Sequence, residues 1–111
     1  MVALWSFFTL SERMTNRNEP KANKHVAEKA IRHINFYGGR YEDWYVGIED
    51  FGSDRDDSGY FYPARYDLKS DDEAKLTMSW LLGVGLQADD EYGVEPTILF
   101  IYTKKQIEEN E

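Results

Sequence analysis

"TILFIYT", Thr97–Thr103, is a nearly continuous run of apolar and strand-forming residues between Pro96 and Lys104. A strand with one solvated face alternates in polarity, so a run that is apolar almost throughout has to be covered on both sides. The stretch is therefore expected to be a central strand, and the chain to contain a sheet with an interior.

Two further segments supply neighbours for it. "DWYVGI", Asp43–Ile48, is rich in aromatic and β-branched residues and reads as a strand, with Gly47 marking a bulge or a close backbone approach. "YFYPARY", Tyr60–Tyr66, reads as a short edge strand, because Pro63 cannot donate to a ladder. The turn-forming run "FGSDRDDSG" separates the two.

Helical spacing appears twice. From Pro20 to about Asn35, Ala22, Val26, Ala30 and Ile34 recur every four residues, and Gly38-Gly39 ends the pattern. "SDDE", Ser70–Glu73, has the form of a capping box, after which Ala74, Thr77, Met78, Leu81 and Leu82 share one side and Gly83 and Gly85 supply stop signals. The fold expected is a small α+β domain, two helices on one face of a mixed or antiparallel sheet of three to four strands. Its core is expected to include Val26, Ile31, Ile34, Val46, Ile48, Met78, Leu81, Ile98 and Phe100.

With 111 residues there is one domain, placed at 14–104. The opening "MVALWSFFTL" is far shorter than the roughly 20 apolar residues of a spanning helix, and it lacks the basic start and cleavage pattern of a signal peptide. Residues 1–13 are read as a buried or edge strand or an extension ahead of Met14, and the acidic tail 105–111 is expected to fray. With no membrane segment and no cysteine, which excludes disulfides, zinc thiolates and thiol nucleophiles, a cytoplasmic protein is expected.

The formal charge of −8 is unevenly spread. Residues 14–40 carry Arg17, Lys21, Lys24, Lys29, Arg32 and Arg40 against Glu19 and Glu28, whereas six basic and eighteen acidic residues lie from Tyr41 onward. Such a surface disfavours nucleic acid and favours a basic protein partner. The complementary halves also make a homo-oligomer plausible.

The acidity is densest in "YEDWYVGIEDFGSDRDDSGYFYPARYD", Tyr41–Asp67, where aromatic rings and carboxylates interleave. Aromatic rings supply rigid contact area and carboxylates steer basic partners. Trp44, Asp54, Asp56, Asp57, Tyr60, Phe61 and Tyr62 are thus the candidate partner-binding residues. The reading is an acidic protein-interaction module, one form of which is an inhibitor occupying the basic surface of a nuclease.

Two other chemistries fit parts of this stretch. Asp54, Asp56, Ser58, Gly59 and Phe61 stand at positions one, three, five, six and eight of a calcium loop, but Arg65 occupies the twelfth, where a bidentate glutamate closes the cage. Only weak, unselective divalent binding by Asp50, Asp54 and Asp56 is expected. "WYVGI", Trp44–Ile48, followed by Arg55, resembles the second strand and arginine of the GIY-YIG nuclease domain, although "INFYGG" is no recognisable GIY strand. The resemblance implies a metal-dependent nuclease with Tyr45 on the YIG-like strand, Arg55 beside the phosphate and Glu73 on a later helix as metal ligand, so enzymatic activity stays an open alternative. His25 and His33 lie about 80° apart around a helix and form no i, i+4 metal pair. No cofactor-binding motif is present, and none is expected.

Overall fold

The computed structural model describes residues 20–53, 56–89 and 93–107. In chain order these form α1 (Lys24–Tyr37), a 3-10 turn at Tyr41–Asp43, β1 (Trp44–Glu49), β2 (Phe61–Asp67), α2 (Asp71–Val84), β3 (Gln87–Ala88) and β4 (Ile98–Thr103). The sheet order is β2-β4-β1-β3. β4 runs antiparallel to both β1 and β2, while β3 is parallel to β1. The chain is a small α+β domain with a mixed sheet.

Both helices cover the same sheet face. Val26, Ala27, Ala30 and Ile34 of α1 and Ala74, Met78 and Leu81 of α2 bury against Trp44, Val46, Ile48, Leu99 and Ile101. This is the expected core with one redistribution: Ile98 and Phe100 are buried too, but stand outside that cluster, on the face the helices do not reach. Ile31 packs at its edge, half-buried.

The helix ends follow their caps. The α1 cap is Asn23, whose side chain accepts the Val26 amide at 3.0 Å, so helix starts at Lys24 and not at Pro20. Ser70 Oγ accepts the Glu73 amide at 3.1 Å, as its sequence predicts. The Glu73 carboxylate reaches one residue further back than a capping box requires, to the Lys69 amide at 2.9 Å. Gly38 (φ 102) and Gly85 (φ 132) end the two helices in backbone conformations that suit glycine.

An extra residue bulges β2 between Phe61 and Ala64. Tyr62, at φ 53, takes the left-handed conformation there and its ring stacks on Tyr37 with centroids 4.3 Å apart. Its carbonyl accepts from His33 Nε2 at 2.8 Å and its hydroxyl donates to the Ile107 carbonyl at 3.0 Å. The chain after β4 is thus held onto the fold as far as Ile107. The N-terminal segment 1–13 and residues 108–111 lie outside the described residues.

Candidate functional site

The stretch Tyr41–Asp67 divides its rings between the two faces of the sheet by strand alternation. Trp44, expected at a partner surface, is instead fully buried under the helices, with Nε1 donating to the Gly38 carbonyl at 3.0 Å. Tyr62 lies on that side as well, half-buried. Tyr45 points the other way and stacks on Tyr102, 5.4 Å between centroids. Tyr60, half-buried, stacks on Tyr102 at 3.9 Å and meets Phe100 at 5.9 Å. Phe61 is half-buried beside Tyr62. The four rings therefore do not make one surface.

The carboxylates have separate partners. Asp57 takes a bidentate bond from Arg65 (2.9 and 2.7 Å), whose Nε also donates to Glu49 at 2.6 Å. The bond to Asp57, then that to Glu49, raises the Arg65 pKa above its ordinary value against the opposing effect of burial. Asp56 accepts from the amide and hydroxyl of Ser58, each at 3.0 Å, closing a local turn. Those bonds lower its pKa. Repulsion among clustered aspartates would raise it, and the Asp57 charge does pull that way, but the Ser58 bonds outweigh it. Asp50 accepts the amides of Val94 and Glu95 at 3.1 and 2.9 Å. The metal candidates Asp50 and Asp56 thus have separate partners, Asp54 lies outside the described residues, and among those residues no group of three potential ligands forms.

The residues of the nuclease resemblance are likewise not gathered. Tyr45 is on the helix-free face, Glu73 is in the first turn of α2 on the opposite side, and Arg55 lies outside the described residues.

The helix-free face carries a polar and aromatic layer that sequence reasoning missed. Glu49 is only 6% exposed, Asp89 5%, and Phe100 and Tyr102 are fully buried. The Tyr102 hydroxyl donates to Asp89 at 2.5 Å, and the Arg65 guanidinium lies 4.0 Å from the Phe100 ring centroid. Lys104 stands 4.7 Å above Tyr45. Gly47 makes room for this layer, since a Cβ there would meet Asp89 Oδ2 at 2.6 Å. One oxygen, Glu49 Oε2, is buried without a hydrogen-bond partner among the described residues.

A different surface is open to solvent. Thr97 accepts the Leu68 amide at 2.8 Å and donates to the Glu49 carbonyl at 3.1 Å, which ties the ends of β1 and β2 to the start of β4. Together with the Asp50 bonds, this collects residues 50–53, 68–70 and 93–97 at one end of the sheet. Phe51 and Val94 project from it, 81% and 90% exposed. Asp67, Asp72 and Glu95 in or beside these segments are exposed and Asp50 and Asp71 half-buried, with Lys69 the single basic residue among the described residues of the three segments. Phe51 and Val94 are distant in sequence, and the bonds through Asp50 join the loops that carry them. Among the described residues no helix is long and apolar enough to cross a membrane. Compared with known proteins, the chain matches no family model, and neither a curated protein nor a solved structure resembles it closely enough to count as a match.

Proposed function

We propose that the chain is an acidic protein-interaction module whose acidic end binds a basic surface on another protein. The observation that carries this reading is the pair Phe51 and Val94, the two most exposed large apolar side chains described, on two acidic loops that Asp50 joins at one end of the sheet. An apolar centre with a charged rim is the anatomy of a protein interface. The carboxylates steer a cationic partner and the apolar pair supplies desolvated contact once it arrives. The loops are tied by two backbone amides to one half-buried carboxylate, Asp50, which limits the ordering entropy lost on binding. An inhibitor that occupies the nucleic-acid site of a nuclease is one member of this class, since such sites are basic.

The test is affinity capture from the native lysate at low salt with the parent chain and a Phe51→Ser, Val94→Ser variant, which keeps every charge. A basic protein retained by the parent and lost by the variant supports the reading. Equal retention by both would reduce the surface to unspecific charge, and retention by neither would remove it.

A further inference from the structure

We infer that, in the absence of another partner, the acidic end docks on the outer face of α1 of a second copy of the chain. This rests on the reading of that end as a protein contact and names a surface that fits it. At 3.6 residues per turn His25, Lys29, Arg32 and Phe36 fall in one row along α1. All four are exposed, Phe36 by 78%, and Lys24 flanks the row. Among the described residues Lys24, Lys29 and Arg32 enter no ion pair, and only Glu28 interrupts their charge.

The two surfaces complement one another in three respects. One presents Asp67, Asp72 and Glu95 where the other presents Lys24, Lys29 and Arg32. Each has an unshielded apolar element, Phe51 with Val94 on the end and Phe36 on the row. Their sizes are compatible as well: a helix of 14 residues is about 21 Å long, and the end formed by β2, β4 and β1 is about 10 Å across before its loops are added. A nucleic acid would suit the row's charge but would meet a molecule of formal charge −8, whereas a second copy brings the acidic end itself.

The contact is heterologous, because end and row are different patches. A docked pair therefore leaves one end and one row free, and growth continues with concentration. Attraction between exposed charges is screened within about 10 Å at 0.1 M salt, so the association belongs to low ionic strength.

Light scattering on the full chain at about 20 mM and about 500 mM salt, over a range of concentrations, reads the first consequence. The expected result is a mass that climbs past the dimer at low salt and returns to the monomer at high salt. Two variants read the geometry: Lys29→Ser, Phe36→Ser removes the row, and Phe51→Ser, Val94→Ser removes the end. Each alone is expected to be monomeric, and their equimolar mixture to form a dimer and grow no further. A parent that is monomeric at low salt, or a mixture that stays monomeric, overturns the inference. Should that parent still capture a basic protein from lysate, the docking on α1 falls and the reading of the acidic end stands. The row variant, which keeps that end, is expected to capture as the parent does.

Discussion

Gly47 shows how a single residue sets the helix-free face. It sits in the middle of β1 directly under Asp89, whose Oδ2 would lie 2.6 Å from an added Cβ and whose own Cβ would lie 2.7 Å away. Gly47→Ala must displace Asp89 and with it the Tyr102 hydrogen bond, at a cost of about 1–3 kcal/mol. Chemical denaturation checks the value, and in an Asp89→Gly background the same substitution is expected to cost much less. A glycine within "WYVGI" signals a close approach in the sequence, but Asp89 is forty-two positions away in the chain, and nothing local points to it. Trp44 and Tyr45 make the same point for side chains. Alternation predicts that they face opposite ways, yet which face the helices cover depends on tertiary packing, so Trp44 became core where exposure was expected. The partners of Asp50, Asp56 and Asp57 were equally hidden. Composition shows a crowd of carboxylates, and only the folded chain shows that each one answers a different donor.

At the level of elements, both helices were legible because stripe, cap and stop signal agree for each. β4 was legible as a strand covered on both sides, though its second cover comes from side chains such as Tyr60 and Arg65 and not from a helix. β3, two residues long, carries no pattern that distinguishes it from a loop. The joint between the helices was also silent in sequence. Thr77 Oγ1 accepts the Asn23 amide at 2.8 Å and donates to the Glu73 carbonyl at 2.7 Å, while Asn23 Nδ2 donates to Glu73 at 3.4 Å. Thr77 is fully buried, so Thr77→Val strands the Asn23 amide without an acceptor and is expected to cost about 1–3 kcal/mol. Thr77→Ser keeps the hydroxyl and loses only a methyl group. Denaturation midpoints of the two variants separate the bond from the packing, and equal losses would refute the bond's role.

For the molecule as a whole, the decisive property is the separation of carboxylates bound by Arg65 from exposed carboxylates at the end of the sheet. Glu49 and Asp57 are engaged by Arg65, whereas Asp67, Asp72 and Glu95 are exposed and enter no ion pair among the described residues. Stability and binding are therefore expected to respond to different substitutions. The sheet order has a consequence of another kind. β4 lies between β1 and β2, yet it follows both in the chain, and β1 and β2 do not pair with each other. During synthesis the slot between two like-directed strands waits for the last one, so closure of the sheet is a late, long-range event. The same slot makes the protein divisible: fragments 1–96 and 97–111, expressed separately, are expected to reassemble by strand donation, with recovery of buried Trp44 fluorescence, read in a Trp5→Phe, Trp80→Phe background, as the readout. A fragment 1–96 that shows that buried fluorescence unaided would mean the sheet can close without its keystone.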